Sequence, residues 1–172
     1  MKEYIKIHSI FKRDEKTHKF IEGEWSLPEF EYLQKNQWTF TEKVDGTCIR
    51  IMWDTQMVRF GGKTDNAQIP AFLIAKLQDL FPISKFQEHF PKTSICLYGE
   101  GYGARIQKSG GNYISNGVDF VLFDVLAGEW WLQRKDIEEV AIKFNIKTVP
   151  IIGHGTISDA VQIIKSGLLK SQ

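Results

Sequence analysis

Lys43 opens the tetrapeptide Lys43-Val44-Asp45-Gly46, set within Thr41-Glu42-Lys43-Val44-Asp45-Gly46-Thr47-Cys48-Ile49-Arg50. A lysine beside an Asp-Gly turn, between two β-prone runs, is suited to covalent transfer of a nucleotide. The amine attacks the α-phosphorus only in its neutral form, which nearby cations or a metal favour. Gly46 permits positive φ or a close approach of backbone to ligand. Asp45 can orient the loop or meet a base edge. Arg50 lies an even step beyond the turn, where it would meet a ribose or phosphate oxygen or pair with Glu42 on the strand face. The same Asp-Gly pair also suits a β-hairpin joining residues 38–44 to 47–53.

Two further segments follow. In Leu97-Tyr98-Gly99-Glu100-Gly101-Tyr102-Gly103 one carboxylate stands among three glycines, beside two tyrosines, after an apolar strand. An open strand end of this kind lets Glu100 accept hydrogen bonds from both ribose hydroxyls. Val118-Asp119-Phe120-Val121-Leu122-Phe123-Asp124-Val125-Leu126 is a nearly continuous apolar run, hence a buried strand. Either of its phenylalanines, Phe120 or Phe123, could stack on a nucleotide base. Arg59, Lys63, Arg105 and Lys108 form a local cationic set on loops, suited to phosphate and nucleic-acid backbone contacts.

In this order the three segments resemble the covalent nucleotidyltransferases: ATP-dependent RNA and DNA ligases and mRNA capping enzymes. The small phage and bacterial type of RNA ligase is the nearest branch. Arg59-Phe60-Gly61-Gly62-Lys63-Thr64-Asp65-Asn66-Ala67 and Tyr102-Gly103-Ala104-Arg105-Ile106-Gln107-Lys108 support that branch, and the resemblance covers residues 4–170. It implies that Lys43 carries AMP, with Glu42, Asp45, Gly46, Arg50, Glu100 and Phe123 binding the nucleotide. It also implies ATP and Mg2+ (or Mn2+) as cofactors, and RNA, or DNA, ends or nicks as substrate. A GTP-using capping-type enzyme and a non-catalytic nucleotide-binding fragment are the alternatives.

The family's fourth and fifth motifs, a Glu-Gly before apolar residues and a Lys-x-Lys pair, do not follow the strand motif. Glu129 precedes Trp130, and Lys165 and Lys170 stand apart. Cys48 replaces an asparagine found in many members. The expectation is a partial adenylation domain over residues 1–172, weakly active or inactive alone, with a C-terminal segment or second polypeptide missing.

The elements that position these residues follow from patterning. Lys2–Phe11 alternates weakly as a strand. Residues 38–44, 47–53 and 57–60 alternate as a meander. Pro28–Gln34, Pro70–Phe81, a segment from Ser84 to near Phe90, Lys135–Phe144 and Ser158–Lys165 read as helices, the last closed by Gly167. Strands at 94–98 and 118–126 flank a long loop over 99–117, a hairpin returns through 130–132, and 148–152 is a strand. This is an α+β fold of antiparallel sheets with flanking helices.

Composition sets outer bounds. The chain has 172 residues, 42% of them hydrophobic and 25% charged, with a net charge of +1. One sizeable core fits, and no global basic field announces a polyanion. Cys48 and Cys96 have neither metal nor disulfide spacing, and the four histidines are scattered, so no metal ligand is assigned. With no apolar signal region and no run of roughly 20 apolar residues, the expectation is a cytoplasmic protein without a membrane partner.

Overall fold

The computed structural model describes residues 2–167. Lys170, considered above, lies outside them. Along the chain run β1 (Phe11–Arg13), β2 (Phe20–Trp25), α1 (Pro28–Leu33), β3 (Trp38–Thr41), β4 (Thr47–Trp53) and β5 (Val58–Gly61). Then come α2 (Ala71–Leu80), α3 (Ile83–His89), β6 (Ile95–Gly103), α4 (Gly110–Tyr113) and β7 (Val118–Ala127). β8 (Trp130–Trp131), α5 (Arg134–Phe144), β9 (Lys147–Thr148), β10 (Ile151–Gly155) and α6 (Ile157–Lys165) complete the described chain.

These elements form two compact units. One holds Ile5–Glu42 with residues 151–167. In it β1 pairs with β2 and β3 with β10, both antiparallel. α6 starts from a reciprocal cap in which the Thr156 hydroxyl accepts from the Asp159 amide and the Asp159 carboxylate accepts from the Thr156 amide.

The other unit holds Lys43–Pro150 with the N-terminal residues through Tyr4. Its sheet runs β5-β4-β6-β7-β8, antiparallel throughout, with β9 added parallel beside β7. Period-two alternation divides the side chains between two faces. Ile49, Ile51 and Trp53 of β4, Ile95 and Leu97 of β6, and Phe120, Leu122 and Val125 of β7 turn to one face. There they close a core with Leu73 and Leu77 of α2, Phe86 of α3, and Ile137, Val140 and Phe144 of α5. Cys48, Arg50, Tyr98, Glu100, Tyr102 and Phe123 occupy the opposite face. The fold is therefore α+β with antiparallel sheets, as its patterning implies.

Several local expectations change. The Asp45-Gly46 turn does not join paired strands, because β3 pairs with β10 while β4 lies between β5 and β6. Val44 is instead buried with Tyr102, Val121 and Val149, which anchors the segment before β4 as an irregular loop. The expected long loop is shorter, since β6 continues through Gly103 and α4 follows. The glycines are the reason: a Cβ at Gly99 would overlap the Phe120 ring, so this glycine-rich stretch is a strand packed at close range. The N-terminal strand begins only at Phe11, and the strand expected over 148–152 is split between β9 and β10 around Val149-Pro150.

A candidate nucleotide site on the open face of the sheet

The loop bearing Lys43 is held from below and from the side. Below it, Gly46 packs directly on the Glu100 side chain, and Cys48, two residues further on, faces Glu100 directly across the β4–β6 ladder. A Cβ at Gly46 would come within 2.8 Å of Glu100 Cγ and would clash with the Gly101 carbonyl oxygen, so the close approach requires glycine. At the side, the Ser109 hydroxyl donates to the Asp45 carboxylate, Gln107 Nε2 donates to the Gly46 carbonyl at 3.1 Å, and the Asp45 amide donates to the Tyr113 hydroxyl at 3.4 Å. Lys43 itself is exposed at the top of this support.

Glu100 is half-buried, and its carboxyl is pushed up to about 7. Burial is the largest cause; the Lys43 charge and the Gly46 amide act against it, and the Asp45 carboxylate adds to it. Lys43, Asp45 and Glu100 thus share one electrostatic environment. Burial also pushes the neighbouring Cys48 thiol up to about 11, with the Glu100 charge acting the same way and the Lys63 and Arg50 charges opposing it. Cys48 is therefore held as the protonated thiol at neutral pH.

Between the two phenylalanines the sheet discriminates clearly. Phe120 is 1% exposed and lies in the helix-side core, its ring edge-on to Phe81 at 5.3 Å. Phe123 lies on the other face, against the cluster that contains Val44 and Tyr102. A register shift between the Tyr98–Asp124 and Gly99–Leu122 pairs leaves Phe123 as an extra residue in β7. This bulge puts the consecutive side chains of Phe123 and Asp124 on one face. The Tyr4 hydroxyl donates to Asp124, and the Tyr4 ring meets Phe123 at 5.0 Å and Tyr98 at 5.1 Å. Burial raises the Asp124 carboxyl, and the Tyr4 bond works against that rise.

The remaining expected residues are placed as follows. Arg50 lies on the site face of β4 but is fully buried; its ion pair is with Asp65 at 2.6 Å, not with Glu42, because β5 and the loop after it close over the side chain. Arg59, on β5 directly opposite Met52, is bound at 2.5 Å to Asp54 just past the end of β4, and so lies at the opposite end of β4 from Lys43. Lys63, on the loop after β5, acts electrostatically on Cys48 beside Glu100. Arg105, at φ 76°, and Lys108 are exposed on the loop whose Gln107 and Ser109 hold the Lys43 loop. Glu42 belongs to the other unit.

Gln107, Ser109, Tyr113 and Tyr4 were not singled out from sequence. They lie roughly sixty or more residues from their partners in the 43–46 loop, or 120 in the Tyr4–Asp124 pair, and no spacing rule spans such a separation. Among the described residues no group of three His, Cys, Asp or Glu side chains is placed to hold a metal ion. The two carboxylates near Lys43 are a partial donor set. Magnesium, which keeps waters and takes one or two carboxylates together with substrate phosphates, fits such a set.

Solved structures share this fold. The chain aligns with Naegleria gruberi RNA ligase in a mutant apo form at TM-score 0.65 and 21% identity, covering 80% of this chain and 42% of that one. It aligns with a mutant of the same enzyme with ATP and Mn at TM-score 0.65 and 22% identity, with the same coverage. A third structure, that ligase with PPi, gives TM-score 0.64 and 22% identity over 80% of this chain and 43% of that one. The chain therefore spans less than half the length of these neighbours. No curated protein sequence matches it. The profile described as RNA ligase matches residues 36–170, which include Lys43, Glu100, Phe123 and the loops around them, and on this match the chain belongs to the RNA ligase family.

Proposed function

We propose that this chain carries the nucleotide-charging part of an ATP-dependent RNA ligase, an adenylation domain whose nucleophile is Lys43. The observation that carries this reading is the placement of an exposed lysine on a loop packed directly on the half-buried Glu100. ATP is the nucleotide, consistent with family membership and with the ATP-bound neighbour.

Three transfers follow. The neutral Lys43 Nζ attacks the α-phosphorus of ATP, a P–N bond forms, the bond to pyrophosphate breaks, and the amine gives up a proton. A 5′-phosphate oxygen of the RNA then attacks the same phosphorus, the P–N bond breaks, and the amine is reprotonated. Last, an RNA 3′-hydroxyl attacks the 5′-phosphorus, AMP leaves, and the strand is sealed. Glu100 accepts from the ribose hydroxyls, Phe123 covers the adenine face, and Asp45 and Gly46 hold the loop while Lys43 reacts. Lys63, Arg105 and Lys108 meet phosphate or RNA backbone. A bound Mg2+ or Mn2+, near Asp45 and Glu100, would supply charge neutralisation at the phosphates.

Efficient turnover, on this reading, also needs cations around the β- and γ-phosphates, which the 172 residues do not offer as a Lys-x-Lys pair. A further segment or a second polypeptide would supply them, and the coverage of 42% of a neighbouring ligase supports this. The free Cys48 and Cys96 suit a cytoplasmic setting. Among the described residues no helix is long and apolar enough to cross a membrane. The test is incubation with labelled ATP or GTP and a divalent ion, followed by denaturation. Retention of label from ATP alone supports the proposal; label from GTP alone transfers the reading to capping-type chemistry.

A further inference from the structure

Arg50 is the one charged residue of the described chain that is fully buried, at 0% exposure. A buried guanidinium pays a desolvation penalty that ordinary packing would avoid. Its bonds show where it acts. Nε donates to the Gly62 carbonyl at 2.7 Å and Nη2 donates to Asp65 Oδ1 at 2.6 Å, while Nη1 is buried without a partner. The side chain is closed to solvent on all three nitrogens, so it serves residues of its own chain rather than a ligand.

Its two partners bracket Lys63. Gly62 precedes that lysine and Asp65 follows it by two residues, so one rigid fork grips both sides of the cation. The loop is shaped for the grip. Gly61 faces Arg50 across the β4–β5 ladder, and a Cβ there would lie 3.3 Å from Nη2 and 3.1 Å from Met52 Cε. A Cβ at Gly62 would come within 2.6 Å of the Ala67 Cβ, and the Ala67 amide closes the turn on the Thr64 carbonyl at 3.2 Å. The Asp65 amide is bonded in turn to Glu3 Oε1 at 3.3 Å. Lys63 is exposed, and its charge acts on Cys48 across the ladder from Glu100.

We infer that Arg50 is a positioning residue: it clamps the loop at Gly62 and Asp65 so that Lys63 is presented, pre-ordered, to an anionic substrate group beside Glu100. The inference deepens the RNA ligase reading and rests on it for the nature of that group, a phosphate of the RNA. Lysine cannot replace the arginine, because a point charge lacks the fork that reaches two acceptors three residues apart.

The test uses the full-length protein and two readouts. Amide hydrogen exchange over residues 61–67 reads the clamp without any ligand. Affinity for a 5′-phosphorylated RNA oligonucleotide, titrated with salt, reads the presentation of Lys63. Asp65→Asn weakens only the exposed half of the clamp, since the Asp65 side chain is 77% exposed, and so preserves the fold even where Arg50→Lys does not. The expected result is faster exchange in both variants, weakening of RNA binding by about tenfold, and a salt dependence reduced by about one phosphate contact. In a Lys63→Ala background neither variant weakens binding further. Unchanged exchange, or losses that simply add to that of Lys63→Ala, overturns the clamp. If the wild-type protein takes no label from ATP, the ligase reading fails instead, and the exchange result still decides the clamp.

Discussion

Gly46 packs directly on the Glu100 side chain, so the loop that carries Lys43 and the strand that carries Glu100 meet at one point. Their close contact depends on the missing Cβ of Gly46. Gly46→Ala should push the loop off β6 and abolish nucleotide attachment, while thermal unfolding falls only modestly. The loop is exposed at Lys43 and Asp45, so little core packing is lost. Attachment at wild-type rate in Gly46→Ala would remove this contact from the site.

Glu100 makes the free protein and the nucleotide complex respond to pH in opposite ways. Its folded value of about 7 lies above its ordinary 4.5, so the stability it contributes is present in full below 4.5 and is lost as pH rises through about 7. Ribose hydroxyls need the ionised carboxylate as acceptor, so ATP affinity should rise from pH 5.5 to 8. Glu100→Gln should flatten both profiles and weaken ATP binding by about tenfold or more, the loss of one charge-assisted hydrogen bond being worth about 1.5–3 kcal/mol. Melting curves and ATP titrations across this range check the prediction.

The two phenylalanines should separate stability from binding. Phe120→Ala removes a ring from the helix-side core and should cost about 3–5 kcal/mol of unfolding free energy. Phe123→Ala should cost less stability but weaken nucleotide binding by about 1–3 kcal/mol, the usual worth of base–aromatic stacking. Phe123→Tyr should be mild. A reversed pattern in denaturant melts and nucleotide titrations would assign the base to Phe120.

Tyr4→Phe removes the hydroxyl that holds the raised Asp124 carboxyl down. Asp124 should then rise further, because the ionised form loses its donor. The penalty, about 1–3 kcal/mol at neutral pH, should shrink as the pH falls toward the ordinary carboxylate range and the group becomes protonated in both proteins. Unfolding measured at pH 4 and pH 7.5 checks the sign.

Particular residues show how far sequence alone reaches. The strands of Leu97 and Phe123 were legible because strand periodicity is local, whereas the Asp45-Gly46 pair suggested a hairpin that does not form. α2 and α5 were legible from their apolar spacing. The pairing of β3 with β10 was not, since it joins segments more than a hundred residues apart. Nor was the bulge that sets Phe123 and Asp124 on one face, which appears only when β7 is laid against β6. Arg50 looked like a ligand contact because alternation puts it on the site face. Its burial depends on a loop whose closure no pattern encodes.

The most direct measurement is the intact mass of the protein, with any completing segment present, after incubation with ATP and magnesium, followed by peptide mapping of the adduct. The expected result is the addition of one AMP on Lys43, lost on treatment with acid and absent from Lys43→Ala and Lys43→Arg, since a guanidinium stays protonated and cannot attack. An adduct that forms in undiminished yield in Lys43→Arg, or maps to another residue, would contradict it.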